Sequence, residues 1–434
     1  MKRFVIKKGH NLIVEGAPDK TVVDVKDSNI IAFNPSAIKN IKVKLLVKKG
    51  DFVKIGTPLF FDKKNDKALF ASSCSGTIKD IVFGPRRIVE RIEVDNDKKN
   101  ESEILNNNVN KENLLNSGLW TYLRQRPYSK IPHYSSNPKS IFISAMPTEP
   151  FALDNKYLFD QLTYLQKGID CLKEIFDCPI NLSVSDNTFD SLSNVNFYNF
   201  NTLHPAGNVG IQIHHIDPIK DSTDCRWYLS LQDLNRIGQF FDTGIYPNYK
   251  FLSIGGDAAN NQAIYKMLIG TPISHFQEIS QENKNRIISG DILSGKETNL
   301  ENSINYHDEV LSIITTNTKK DFLGWLTPGL KKYSLSNTFL SKLISNKKSK
   351  LNTKKNGSVR TIIPMGNWDK VLPMDILPEF LIKNILANDI EMMEKLGIYE
   401  CSPEDFSLCS FVCQSKVEVS DIIEKGLDVM EIEG

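Results

Sequence analysis

Three cysteines near the C-terminus are the first residues to test for chemistry. Cys401, Cys409 and Cys413 are separated by eight and four positions. A cubane iron–sulfur cluster takes four thiolates, commonly in close pairs. On a helix Cys409 and Cys413 share a face, which suits packing as well as ligation. The spacing therefore argues against a cluster. The segment Ser117-Gly118-Leu119-Trp120-Thr121-Tyr122-Leu123-Arg124-Gln125-Arg126-Pro127 is the second candidate. A flavin or dinucleotide loop repeats glycine, because backbone amides must approach phosphate closely. One glycine followed by bulky side chains does not build that cradle. Arg124 and Arg126, read as exposed at a helix end, keep the chemistry to hold an anion or a partner carboxylate, with Trp120 beside them.

Histidines invite a metal reading that their spacing does not support. Placed on a strand from Gly210 to Ile216, His214 and His215 point to opposite faces and cannot share an ion. His204, in the turn His204-Pro205-Ala206-Gly207, is expected to make hydrogen bonds, with a ligand contact as the alternative. Gly255-Gly256 follows a buried strand, where open α/β sheets bind ligands, although a lone Gly-Gly equally serves a structural turn. No catalytic residue and no metal ligand is predicted. The ligand or partner contacts to test are Trp120, Arg124, Arg126, His204, Gly255 and Gly256.

The elements that must position these residues fall into four blocks. Residues 1–95 contain Val47-Lys48-Lys49-Gly50-Asp51-Phe52-Val53-Lys54-Ile55-Gly56-Thr57-Pro58, then Ala71-Ser72-Ser73-Cys74-Ser75-Gly76-Thr77-Ile78. Short β-branched runs with Gly-Asp and Gly-x-Pro turns read as tight hairpins. They resemble the barrel-sandwich fold of lipoyl and biotinyl carriers. A carrier presents one modifiable lysine at the hairpin tip, whereas here Lys63, Lys64 and Lys67 crowd an ordinary polar loop. A polar linker follows through Asn106-Asn107-Asn108.

Residues 111–256 alternate helix and strand, which argues for a Rossmann-like α/β layer. A helix from Lys111 runs toward Pro127, and Ile141 to Met146 reads as a buried parallel strand. Lys156 to Phe176 and Ser230 to Asp242 read as helices, with strands at Ile180 to Val184, Gly210 to Ile216 and Lys250 to Gly255. Residues 257–316 suit a small β-grasp-like module. Residues 317–434 pass through a basic loop, Lys347 to Ser358, and end in a helical domain with Pro378 and Pro403 at helix starts. The fold class is thus α/β multidomain.

Composition bounds the function. Lys plus Arg number 53 and Asp plus Glu 52 in 434 residues, leaving no electrostatic footprint for nucleic acid. Runs such as Ile141 to Met146 and Leu408 to Val412 fall far short of the ~20 residues that span a bilayer. The start has no apolar core or cleavage site of a signal peptide. Seven cysteines are too sparse and too odd in number for a disulfide framework. A cytoplasmic protein is expected, with any membrane contact made through partners rather than by insertion.

Read as a set, the segments resemble the NqrA family, one of the components of the sodium-translocating NADH:quinone oxidoreductase, the Nqr complex. The resemblance is carried by Glu112-Asn113-Leu114-Leu115-Asn116-Ser117-Gly118-Leu119-Trp120-Thr121 and Arg126-Pro127-Tyr128-Ser129-Lys130-Ile131-Pro132. It continues through His204-Pro205-Ala206-Gly207, Gly324-Trp325, Leu372-Pro373-Met374-Asp375-Ile376-Leu377-Pro378 and Leu408-Cys409-Ser410-Phe411-Val412-Cys413. It implies a respiratory pump that oxidises NADH, reduces ubiquinone and exports sodium, with flavins and iron–sulfur centres held by other subunits. It also implies a chain docked on integral membrane subunits, at the cytoplasmic face of the bacterial inner membrane. Contact between a quinone headgroup and this chain stays open. The NqrA family is similar to the flavin-binding subunit of the proton-pumping NADH dehydrogenase and to the matching Rnf subunit. Here the glycine loop is replaced by Gly118 to Pro127 and the cysteine motif is reduced, so the expectation is a fold kept without its cofactors. The alternatives are an independent NADH-dependent flavoenzyme, an Rnf-type subunit or a carrier domain.

Overall fold

The structure is a computed structural model. It describes residues 1–277, 285–316, 323, 326–330, 332–333, 335, 339–343, 348–351, 353–355 and 357–434. Gly324-Trp325, Lys347 and Asn356 lie outside the described residues. The first two strands, β1 (Lys2–Phe4) and β2 (Val22–Asp24), leave the N-terminal region to join sheets formed further along the chain.

The barrel-sandwich hybrid is built by β3 (Ile30–Phe33), β4 (Val43–Leu45), β5 (Phe52–Val53), β6 (Pro58–Asp62), β7 (Asn65–Ala71), β8 (Gly76–Phe83) and β9 (Val89–Asn96). Two sheets, β3-β9-β8-β5 and β4-β6-β7, close on Ile31, Leu59, Phe60, Phe70, Ile78, Ile92 and Val94. β8 alternates buried and exposed residues from Gly76 to Lys79, the period-2 pattern of a one-sided strand, whereas β3, β6 and β7 bury adjacent residues. Lys63 and Lys64 form the tip between β6 and β7, while Lys67 lies on β7 with its ammonium 4.9 Å from the Tyr134 ring. The expected linker is anchored instead. Glu103 N–H donates to the Ile55 carbonyl at 2.8 Å, Leu105 N–H to Gly244 at 3.0 Å, and Asn107 Nδ2 to Phe241 at 3.2 Å.

The α/β layer runs in the order β1-β13-β12-β11-β14-β10, with β10 (Arg124–Arg126), β11 (Ile141–Ser144), β12 (Ile180–Val184), β13 (Asn196–Phe200) and β14 (Arg226–Ser230). β10 is antiparallel to β14; the other pairs are parallel. The helices are α1 (Lys111–Asn116), α2 (Leu162–Phe176), α3 (Val209–Ile216) and α4 (Leu231–Thr243). Two expectations are corrected here. The helix at Lys111 stops at Asn116, ended by Gly118 in the left-handed region at φ 80, well before Pro127. Gly210 to Ile216 is helix α3, not strand. Val209 to Ile213 are all buried, and a helix enclosed on several faces loses the amphipathic period that would have revealed it.

A second sheet, β18-β17-β19-β15-β16-β2, takes β15 (Tyr249–Gly255), β16 (Ile264–Leu268), β17 (Asn285–Ser289), β18 (Lys296–Glu297) and β19 (Val310–Thr315). Lys250 to Gly255, expected in the α/β layer, therefore belongs to this sheet. It pairs antiparallel with β16 and parallel with β19. The tail folds into α5 (Pro378–Ala387), α6 (Ile390–Lys395), α7 (Ser407–Val412) and α8 (Val419–Glu433). β11 shows how the layers meet. Ile141 and Ile143 enter the core under α2 and α4, while Phe142 enters the core shared with α3 and the tail helices. A strand buried on both faces reads as continuously apolar for this reason. Met393 is fully buried in that core, whereas its neighbour Met392 is 37% exposed.

Candidate functional site

In the α/β layer the chain passes from β11 to β12 and β13 on one side, then returns to β14 on the other. Strand order reverses between β11 and β14, and in open α/β sheets the crevice beyond the strand ends at such a point binds ligands. A cavity of about 410 Å³ lies there, lined by Ser144 and Ser230 at the ends of those strands. The N-termini of α3 and α4 open onto it, through Asn208 and Val209 and through Ser230 and Leu231. Ser230 Oγ caps α4, accepting from Asp233 N–H at 3.1 Å. The opposite wall comes from Ser289 to Asp291 and Asn305 to Val310, and Ser402 to Glu404 add a third side.

Arg124 and Arg126 reach this region from edge strand β10, two residues apart and so on one face. Their guanidinium carbons lie 4.5 and 5.1 Å from the Tyr228 ring centre on neighbouring β14. The expectation of exposed arginines at a helix end is therefore corrected. Arg126 is fully buried, with Nη2 2.6 Å from Glu404 Oε1 and Nη1 4.0 Å from Asp405 Oδ2. Burial alone would lower its pKa, but Tyr228, Glu404 and Asp405 outweigh that and raise it. Arg124 lines the cavity, and its Nε–H has no partner among the described residues.

The remaining charge in the cavity is mostly acidic. Glu149, Asp291, Asp308, Glu309, Glu404 and Glu424 line it, against Arg124, Lys39 and Lys296. Both lysines are committed to Glu424, at 3.4 and 3.3 Å. Burial, with Asp291 nearby, pushes the Glu149 carboxyl up to about 7. Burial also raises Asp291, although Ser294 and backbone amides pull it down. Glu309 is raised by burial and by Asp233. Burial lowers His307 to about 3, with Arg124 adding to the effect, so its ring is neutral. Its Nε2–H donates to the Thr121 carbonyl at 2.8 Å. His204 is likewise lowered to about 4 by burial and by His10, with Nδ1 3.1 Å from Thr148 Oγ1. Among the described residues the site thus offers one guanidinium without a carboxylate partner, beside Glu149, Asp291 and Glu309, which burial inclines to hold protons.

Of the residues singled out in the sequence, Arg124 and His204 line this cavity and Arg126 stands behind it through Glu404. Trp120 is elsewhere, buried beside Trp227 with Nε1–H donating to the Pro132 carbonyl at 2.8 Å. Gly118 serves packing on β7: a Cβ there would come within 3.1 Å of Ala71 Cβ and 3.2 Å of the Leu69 carbonyl oxygen. Gly255 packs on the Phe151 ring, and Gly256, at φ 113, lies against the Ile313 carbonyl. Neither glycine is at the cavity. Sequence reasoning missed Glu149, Tyr228, Asp291, His307 and Glu309. Only Glu149 carried a signal, standing in the loop after the first buried parallel strand.

The comparisons with known proteins agree with this architecture. Residues 4–97 match a family model described as the NqrA N-terminal barrel-sandwich hybrid domain, and residues 105–246 one described as the NqrA second alpha/beta domain. Full-length similarity decides the family. A protein of Haemophilus influenzae (strain PittGG), named as the A subunit of Na(+)-translocating NADH-quinone reductase, is 33% identical over 448 residues, covering 99% of this chain and 100% of its own. The chain belongs to the NqrA family. Relatives of the same name in Pasteurella multocida (strain Pm70), 33% identical over 99% of this chain and 100% of theirs, and in Neisseria meningitidis serogroup B, 32% identical over 99% of each, agree. These relatives are subunits of an oxidoreductase. Among solved structures, a chain of the air-oxidized NAD+-reducing NiFe-hydrogenase aligns with 68% of this chain and 55% of its own. The TM-score is 0.36 and the identity 8%, too distant to carry an argument.

In this NqrA-family chain the cysteines and histidines of the sequence reading serve packing contacts. Cys401 Sγ lies 3.5 Å from the Gly397 carbonyl and Cys409 Sγ 4.0 Å from that of Trp368, and burial raises both thiols. All seven cysteines are free. His214 and His215 sit in the last turn of α3, not on a strand. His214 accepts from Asp375 N–H at 2.9 Å and donates through Nδ1 to Glu400 at 2.7 Å, while His215 donates to the Pro373 carbonyl at 2.9 Å. Together they fasten the tail to the α/β layer.

Proposed function

We propose that this chain is a peripheral subunit of a Na+-translocating NADH:quinone reductase, carrying no flavin, nicotinamide or iron–sulfur centre and supporting the quinone-reduction step and assembly of the complex. The cavity at the β11/β14 crevice carries the reading. A phosphate-bearing cofactor placed there meets Asp308, Glu404 and Glu424, with Arg124 the one cation among the described lining residues not already paired with a carboxylate. The glycine that a phosphate loop would need is spent on β7. Anions and acidic walls repel, and a phosphate needs close backbone amides. A neutral headgroup with carbonyl oxygens suits the same wall. Arg124 Nε–H donates to a carbonyl, and carboxyls shifted toward neutral pH, as at Glu149, hold protons.

In this reading the α/β layer is Rossmann-like and the sheet containing β15 to β19 β-grasp-like. The chain sits on the cytoplasmic face of the inner membrane through integral partner subunits, and quinone contact occurs at the cavity. Absorption spectra of the purified chain, with intact mass, test it. A colourless protein of unmodified mass is expected. A stoichiometric flavin band or a broad thiolate-to-iron band would overturn the cofactor-free reading and favour an independent flavoenzyme.

A further inference from the structure

The β8–β9 hairpin closes through Gly84-Pro85-Arg86-Arg87-Ile88. The loop holds itself by its own backbone. Gly84 N–H donates to the Ile88 carbonyl at 2.8 Å, Arg87 N–H to Gly84 at 3.2 Å and Ile88 N–H to Pro85 at 3.2 Å. Arg86 has φ 56 and Arg87 φ 59. Both are in the left-handed region, where a Cβ crowds the following carbonyl and hairpin turns favour glycine, asparagine or aspartate. Two consecutive arginines therefore stand where the backbone alone would select other residues. Local rules broken in this way point to a use for the side chains.

The described residues give neither arginine a partner within the chain. Both are exposed, and among the described residues no side-chain hydrogen bond or ion pair engages either guanidinium. Cations further along the same strands are engaged: Lys79 pairs with Glu93, and Arg91 with Glu93 and Glu301. Beside the tip arginines, Phe83 and Ile88 are 53% and 52% exposed. Two free guanidinium groups and two bare apolar side chains on a self-braced loop have the composition of a protein–protein contact. Arginine and aromatic residues are enriched there, and a pre-set conformation lowers the cost of association.

The geometry points to the Phe83–Ile88 tip as a docking element for an acidic protein surface on another subunit of the assembly. Arg86 and Arg87 pair with its carboxylates, and Phe83 and Ile88 make the apolar contact between them. The inference rests on the subunit reading above. A lipid surface is the poorer occupant, because lipid-binding segments gather roughly four to eight basic residues. The tip has two, with Glu90 against Gly84.

The test uses tagged full-length chain co-expressed with the other subunits. Wild type, Arg86→Glu/Arg87→Glu and Arg86→Gly/Arg87→Gly are each purified across a salt series, and each melting temperature is measured. The expected result is co-purification with wild type and at least tenfold less partner with either double variant. The glycine variant should melt no lower than wild type, which separates docking from folding. Partner recovery unchanged in both double variants, with wild type still assembling, overturns the docking inference and leaves the subunit reading standing. Failure of wild type to recover any partner overturns both. Binding of the wild-type chain alone to phosphatidylglycerol vesicles, lost in both variants while assembly is kept, assigns the tip to lipid and also overturns the inference.

Discussion

Glycines Gly50 and Gly256 separate two reasons for having no side chain. Both have positive φ, 92 and 113, but Gly50 has open space around it while a Cβ at Gly256 would come 2.0 Å from the Ile313 carbonyl oxygen. Gly50→Ala should therefore cost only the conformational penalty, about 1–2 kcal/mol. Gly256→Ala adds a backbone collision and should cost about 3 kcal/mol or more. Denaturant melts of the two variants check the order, and equal losses would show that crowding at Gly256 relaxes freely. Glu149 gives a pH prediction. Its folded pKa, about 7, lies above the ordinary value of 4.5. The native state then keeps a proton that the unfolded chain has released, so this group's contribution is fully present below the unfolded pKa. It is lost as pH rises from about 4.5 through about 7. The shift corresponds to about 3 kcal/mol at most. Unfolding free energy of wild type minus Glu149→Gln, followed from pH ~4.5 to ~8, should fall across that window. A flat difference would place the carboxyl in ordinary solvent.

The hairpins of the first block were legible because turn residues and strand alternation agree there. Gly50, Gly56 and Gly76 mark tight backbone positions with positive φ, and β5 and β8 lie where the β-branched runs stand. The tip lysines follow from the same reading. Lys63→Arg/Lys64→Arg/Lys67→Arg keeps the charge and blocks acylation, so assembly and quinone reductase activity should stay within about twofold of wild type (within ~0.5 kcal/mol). A lipoyl or biotinyl adduct in the intact mass would refute that. Where burial is complete, sequence patterns mislead. α3 reads as a strand because its apolar residues face several neighbours at once. β10 escapes notice because Arg124 and Arg126 look like surface charge, yet they are tucked over Tyr228 by pairing between β10 and β14. The cavity is only partly legible for the same cause. It joins residues 124, 149, 204, 291 and 307, and local patterns do not report contacts between distant segments.

At the scale of the whole chain, attachment is the question. No described helix is long and apolar enough to cross a membrane, and Lys plus Arg at 53 nearly equal Asp plus Glu at 52. Anchoring at a lipid surface takes a strongly basic helix with a broad apolar face. Among the tail helices, α8 carries Asp421, Glu424, Asp428, Glu431 and Glu433, the wrong sign for that role. α5 exposes Leu377 and Phe380 at its start but carries one lysine, Lys383. Attachment should therefore depend on other proteins. The chain is expected in the membrane fraction when its partner subunits are present and in the supernatant when it is expressed alone. Salt-resistant membrane association in cells lacking those subunits would refute this. Activity should divide in the same way. Deleting the chain should abolish quinone reduction by the complex, while NADH oxidation by the remaining subunits with an artificial acceptor should persist. If the chain instead oxidised NADH when purified alone, the acidic cavity would have to hold a dinucleotide phosphate, contrary to the electrostatics of its wall.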